Sequence, residues 1–259
     1  LRQRKLAGKV IGIGRRPESL QKAIAAKAVD QTSQDLAAGV RNAELIVVCT
    51  PVKSIPEHVR QAAAACPAGA LLTDAGSTKA TIVHQLNGAL RRSVAFVGSH
   101  PLAGSEKTGC EFSRADLFDG RVVVVTPTRK TGESNLQRAA DFWSALGASV
   151  MIMSPAAHDR ALAATSHLPH LIAAALARST AEADRPLTAG GWRDGTRIAA
   201  GEAELWSQIL SDNADNVLKA LDRFEKSLAA FRSALERGNH RRLNQMLTEA
   251  KQIRDAVGS

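Results

Sequence analysis

Six short apolar runs punctuate the first 153 residues, and each stops at a polar or turn-forming group. Residues 9–13 end at Gly14-Arg15-Arg16-Pro17, and 45–48 at Cys49-Thr50-Pro51. Residues 70–73 end at Asp74-Ala75-Gly76-Ser77, and 94–97 at Gly98-Ser99-His100. Residues 122–125 end at Thr126-Pro127, and 150–153 at Ser154-Pro155. Runs this short, without polar alternation, read as strands buried on both faces. Helical patterns separate several of them: one opens at Pro17-Glu18-Ser19, and others span 55–65 and 136–146. The alternation predicts βαβ units in a doubly wound parallel sheet. Ligands of such sheets sit beyond the carboxyl ends of the strands, which is where Thr50, Asp74, Ser77 and His100 fall.

After Ser154 the strand pattern stops. Residues 156–183 read as helix. Val217, Leu221, Phe224, Leu228, Phe231 and Leu235 are spaced 4-3-4-3-4, a heptad-like seam closed by Gly238. Residues 239–257 form a last amphipathic pattern, with Leu243, Met246, Leu247, Ala250 and Ile253 on one face. The expected organisation is a sheet domain over 1–153 and an all-helical domain over 154–259, with the long seam pairing two copies in a homodimer.

Composition narrows this further. Of 259 residues, 44% are hydrophobic but only 3% aromatic, with no Tyr. The core is therefore Ala, Leu, Val and Ile, which suits helices packed on a parallel sheet. No apolar stretch reaches the ~18 residues of a membrane span, and the basic start (Leu1 to Lys5) leads into no apolar signal segment. The three cysteines (Cys49, Cys66, Cys110) form no CxxC or Cys/His cluster, so neither a disulfide framework nor a metal site is expected, and a cytoplasmic setting is. The net charge of +9 is scattered and lacks aromatic interleaving, which argues against nucleic acid. An anionic small substrate or a phosphorylated cofactor accounts for it as well.

A dinucleotide-binding domain opens with a strand, GxGxxG and a helix. The chain instead begins at Leu1 without that loop; residues 1–8 look like the tail of the first helix, and about 20 residues are expected upstream. At the end of the second strand, where an acidic residue would favour NAD, stands Gly14-Arg15-Arg16. Two guanidinium groups there suit a 2′-phosphate and hence NADP, with NAD possible; two solvated arginines at a helix start are the plainer alternative.

Three segments concentrate polar chemistry. Residues 98–109 (GSHPLAGSEKTG) place His100 directly after a strand. Ser166-His167-Leu168-Pro169-His170 opens the helical half. Residues 190–199 (GGWRDGTRIA) read as a glycine- and arginine-bearing loop able to receive a carboxylate. With RRPESL, the TPV turn at Thr50 and the DAGSTK turn at Asp74, these segments resemble, in order and over essentially the whole chain, the prephenate/arogenate dehydrogenase family. The resemblance implies a Rossmann-like domain followed by a helical dimerisation domain. It implies oxidative decarboxylation of prephenate (to 4-hydroxyphenylpyruvate) or arogenate (to tyrosine), with hydride transfer to NAD(P)+.

By the same resemblance, His100 is the base that takes the substrate hydroxyl proton, a task that suits an imidazole near pH 7. Ser77 is its hydrogen-bonding partner, although a helix N-cap explains a serine there too. Arg197 binds a substrate carboxylate and His170 faces the substrate side chain, with His167 supporting it. Gly190 and Arg193 belong to the substrate loop, and Glu106 closes the pocket or pairs with a base such as Arg193. Gly14, Arg15, Arg16, Thr50, Pro51, Asp74 and Ser77 line the cofactor, and Trp206 is core. Two other readings stay open: another Rossmann-plus-helical dehydrogenase, such as one acting on β-hydroxyacids, and a non-catalytic dinucleotide-binding dimer.

Overall fold

Seven strands form among the described residues: β1 (Ile11–Ile13), β2 (Gln31–Ser33), β3 (Leu45–Val48), β4 (Leu71–Asp74), β5 (Ala95–Pro101), β6 (Val122–Thr126) and β7 (Ser149–Ile152). The computed structural model describes all residues except Gln3, Arg92, 105–108, Cys110, Glu111 and Ser259. β1 and β2 make one parallel pair, and β3-β4-β5-β6-β7 make a five-stranded sheet in that order. β3, β4 and β5 run parallel, as the alternation requires. β5 and β6 run antiparallel, with His100 opposite Val124, and β6 and β7 are parallel again. The α/β class holds, but the sheet is mixed. Four consecutive valines in β6 are buried whichever way the strand runs, so their pattern carries no direction.

β5 also continues through His100 and Pro101, so the histidine lies on the strand instead of after it. β2 arises where no apolar run marks it: Gln31, Thr32 and Ser33 pair through their backbones with β1. The next helix, α2 (Leu36–Val40), is capped by Asp35, whose side chain accepts from the Ala38 amide. The described part of residues 1–8 turns back on itself, with Lys5 N donating to Arg2 O, instead of continuing a helix. One turn alone pays the nucleation cost without the propagation gain.

Helices α1 (Pro17–Ala25), α3 (Ile55–Ala65), α4 (Ala80–Leu86) and α5 (Glu133–Ala145) connect the strands. Ile55 and Val59 of α3 pack with Leu72 in one core cluster, and Ala139 and Trp143 of α5 pack with Val97 and Val123 in another. Full burial of each such large side chain is worth about 1.5–3 kcal/mol.

The helical part begins with α6 (Pro155–Leu162), started by Ser154 accepting from the Ala157 amide and by Pro155 in the first turn. Residues 156–183 are not one helix. A π-helical turn, Ala163–His167, separates α6 from α7 (Leu168–Ser179). Pro169 gives no N–H to the carbonyl four residues back, and a widened turn relieves the mismatch. A 3-10 turn follows (Glu182–Leu187), then α8 (Gly190–Thr196), a second 3-10 turn (Arg197–Ala200) and α9 (Ala203–Asp212). The glycine- and arginine-bearing segment is thus helical, not an open loop. Ile209 of α9 is buried in the same cluster as Val52 and Ile55.

These elements make one compact unit, 1–213; residues 214–259 make a second. The second consists of α10 (Ala214–Glu236) and α11 (His240–Val257), joined at Gly238, whose φ of +60° ends α10. Along the seam Val217 is buried and Leu221, Phe224 and Phe231 are half-buried, while Leu228 and Leu235 remain 52% and 64% exposed. Among the described residues no helix is long and apolar enough to cross a membrane.

Candidate active site

The site is built around His100, which β5 carries to the end of the sheet. Its neighbour Ser99 locks the strand: the Ser99 amide donates to Asp74 Oδ1, its hydroxyl donates to the Asp74 carbonyl at 2.6 Å and accepts from the Trp143 indole at 3.0 Å. Asp74, at the end of β4, has no exposed surface, and its Oδ2 accepts from the Gly76 amide and from the Lys79 ammonium. Lys79 is equally buried. Burial lowers its pKa, against the upward pull of Asp74. The Asp74 side chain therefore clamps the DAGSTK turn from within the fold. Nothing in the sequence pattern marked Lys79 as buried.

α6 faces this turn with His158 and Asp159. The Asp159 carboxylate accepts from the Lys79 and Ala80 amides, each at 2.8 Å, and so caps α4. It also accepts from His158 Nδ1 at 2.7 Å. Burial works to raise the Asp159 pKa, but the His158 bond and the two amides outweigh it and hold the group below its ordinary value. His158 Nε2 in turn lies 2.9 Å from His100 Nδ1, the two rings meeting edge to face. Sequence reasoning passed over both residues, although Ser154-Pro155 signalled the helix start that places them.

The expected bond between Ser77 and His100 is not formed; His100 Nδ1 is directed to His158 instead. Ser77 is half-buried and does not cap α4, the task Asp159 performs. Burial pushes the His100 pKa well below the usual imidazole value, and His158, Lys79 and His167 add to it. The residue is neutral at pH 7.

The π turn and α7 supply two more histidines. His167 Nδ1 accepts from the Asn213 amide at 3.1 Å, and the same nitrogen of Asn213 donates to the Asp159 carbonyl. Burial lowers the His167 pKa to about 4. His170 is 5% exposed and stacks flat on Trp206, ring centroids 3.6 Å apart. Its Nδ1 is buried without a hydrogen-bond partner among the described residues. Trp206 is only partly buried, so it is a wall for His170 as well as a piece of core. Gly201 permits the stack, since a Cβ there would meet Trp206 Nε1 at 2.5 Å. An open groove of about 420 Å³ runs along His170, Trp206, Ala199 and Leu210.

Gly190 opens α8, Arg193 lies on it and Arg197 begins the following 3-10 turn, which packs on α7; all three residues are exposed. Glu106 lies outside the described residues. Past β1, in the β1–β2 pair, Gly14 is half-buried and donates to Ser33 O, and Arg15 and Arg16 are exposed. Neither Arg15 nor Arg16 forms an ion pair among the described residues. Thr50 Oγ1 contacts His58 Nδ1 at 3.0 Å, and exposed Pro51 precedes the 3-10 turn Val52–Ser54.

Residues 1–152 match the family model "Prephenate dehydrogenase, nucleotide-binding domain" and residues 154–249 match "Prephenate dehydrogenase, dimerization domain". The chain is 35% identical over 213 residues to a cyclohexadienyl dehydrogenase of Zymomonas mobilis, covering 80% of this chain and 72% of that one. It is 30% identical over 256 residues to a Bacillus subtilis prephenate dehydrogenase, covering 96% and 69%. The crystal structure of prephenate dehydrogenase from Aquifex aeolicus with hydroxyphenyl propionate and NAD+ superposes with a TM-score of 0.90 at 32% identity, covering 99% of this chain and 92% of that one. The chain belongs to the prephenate dehydrogenase family and is a dehydrogenase that uses a nicotinamide dinucleotide to oxidise and decarboxylate a cyclohexadienol.

Proposed function

We propose that His100 is the general base of this reaction and that Arg197 and His170 hold the substrate. The observation that carries the reading is a half-buried histidine at the end of a sheet strand, its pKa lowered and its Nδ1 already engaged by His158. The remaining nitrogen takes the substrate hydroxyl proton as that carbon gives up hydride and becomes a carbonyl. Loss of CO2 then pushes an electron pair toward the ring oxygen, which recovers the proton from the imidazolium. The nicotinamide, when bound, accepts the hydride.

Arg197, exposed beside α7, orients a substrate carboxylate, and Arg193 adds positive charge nearby. Ser77 contacts the substrate hydroxyl instead of the imidazole. His170, held by Trp206, lines the groove that receives the substrate side chain, with Gly190 giving the backbone room to approach. The functional division falls at 153/154: the sheet half supplies the base and the cofactor site, and the helical half supplies the carboxylate and side-chain contacts.

The cofactor reading is NADP. Arg15 and Arg16 stand exposed past β1 with no ion pair among the described residues, and two guanidinium groups there suit a 2′-phosphate. Thr50 and Pro51, after β3, complete the cofactor contacts. The exposed apolar positions of α10 and α11 pair two copies in a homodimer, as the dimerization description of the matching family model suggests for its members.

The test is reduced-cofactor absorbance with prephenate and with arogenate, each against NAD and NADP. Turnover with one of the two substrates is expected, with NADP preferred and with that preference lost in Arg15→Ala/Arg16→Ala. Turnover with β-hydroxyacids in place of both would overturn the substrate reading. A preference for NAD that is unchanged in the double variant would overturn the cofactor reading.

A further inference from the structure

We infer that His158 and Asp159 form a proton-ordering relay behind His100, which fixes His100 in the tautomer protonated on Nδ1 and leaves Nε2 bare for the reaction. The inference rests on the reading of His100 as the base.

The order of donors follows from the far end of the chain of contacts. The Asp159 carboxylate is an acceptor only, because it already receives the Lys79 and Ala80 amides. The ring nitrogen of His158 facing it at 2.7 Å must therefore carry a hydrogen. In the form of His158 that carries a single N–H, that hydrogen is spent on Asp159, so Nε2 is a lone pair. The atom facing that lone pair, His100 Nδ1 at 2.9 Å, must be the donor. Only Nε2 of His100 is left to accept a proton. The opposite tautomer would set two lone pairs against each other in a buried site, at a cost comparable to an unmade buried hydrogen bond, about 1–3 kcal/mol.

The surroundings hold this order. Lys79 sits between the two carboxylates that organise the site, its side chain on Asp74 and its backbone amide on Asp159. His167 is bound through Nδ1 to Asn213, which also holds the Asp159 carbonyl, so Asn213 ties α6 to the π turn. Among the described residues, the charged and titratable groups around His100 are thus Lys79, His158 and His167, with Asp74 and Asp159 one bond further out. His158 and Asp159 act through His100 and are positioning residues, not catalytic ones. When His100 receives the hydroxyl proton on Nε2, the positive ring remains hydrogen-bonded to His158, and Asp159 sits one ring further away as the counter-charge.

Two measurements test the relay. The first is nitrogen NMR of the histidine-labelled protein at neutral pH, with the His100 signal identified by its loss in His100→Asn. The expected result is a protonated Nδ1 and an unprotonated Nε2; a proton on Nε2 would overturn the relay. This readout needs no turnover, so it decides the relay even if the substrate assignment fails.

The second compares His158→Leu with His158→Gln at matched thermal stability. Leu removes the acceptor, whereas Gln places an amide oxygen near the lost Nε2. Leu is expected to lower kcat on the order of 10- to 100-fold with KM little changed, and Gln to restore most of the loss. Equal kcat in the two variants would mean that His158 merely fills space, and would overturn the proposal. If His158→Leu does not fold, the tautomer in the unmodified protein stands as the deciding result.

Discussion

The two sides of the candidate site are built on opposite plans. On the sheet side, which includes the α6 and π-turn residues of the helical half packed against it, Asp74, Lys79, Ser99, His158 and Asp159 are buried, and each has its polar atoms engaged within the fold. On the helical side, Gly190, Arg193 and Arg197 are exposed, and α8 has no side-chain cap at Ala189. The first arrangement is set before any ligand arrives and costs no reorganisation at the moment of reaction. The second keeps Arg193 and Arg197 at the surface, within reach of an anionic substrate. Removing a group from the sheet side should therefore damage chemistry or folding, and removing one from the helical side should damage binding.

The largest effect separating the two sides is expected at His100. His100→Asn should lower kcat by about 100- to 10,000-fold while leaving substrate affinity nearly unchanged; steady-state kinetics and a binding titration check both. Next is Lys79→Met, which strands the buried Asp74 carboxylate and should destabilise the protein by about 3–5 kcal/mol, read from the denaturant midpoint.

Acid should act on the same side. The His167 pKa is about 4 in the folded protein against 6.5 for an ordinary histidine, so the unfolded chain binds the proton first as pH falls. Its contribution is fully present above pH 6.5 and declines below it, reaching a loss of about 3 kcal/mol by pH 4. Unfolding curves from pH 7 to 4 would show this, and His167→Asn should flatten the slope.

The smallest expected effect lies on the helical side. Arg197→Ala should raise KM about 10- to 100-fold with kcat little altered, and Arg193→Ala should raise it less. A fall in kcat at constant KM would place Arg197 in the chemistry and erase the contrast between the two sides.

The same contrast explains what the sequence made legible. The strand runs, the helical second half and the position of His100 are visible because burial on both faces and heptad spacing leave periodic marks. The antiparallel turn of β6 is invisible, since four valines look alike in either direction. The short polar strand Gln31–Ser33 leaves no apolar mark, because its backbone pairing carries it. His158 and Asp159 stand in an ordinary helix start, and only the packing of α6 on the DAGSTK turn joins them to His100. The resemblance led to Ser77 as the partner of His100, because neighbouring motifs carry no information on which nitrogen faces which element. Helical structure at 190–200 was missed because two glycines and an aspartate read as a turn.

The claim that the sheet side is preorganised around a neutral base is tested most directly by the pH dependence of kcat/KM. Burial, with the nearby Lys79, places the His100 pKa well below 6.5. Activity should therefore hold steady as pH falls through 6.5 and be lost only well below it, provided the protein is shown to remain folded there. An acid limb at 6.5 or above, assigned to His100 by its variant, would contradict the account, because it would mean that the base is not held neutral by the fold around it.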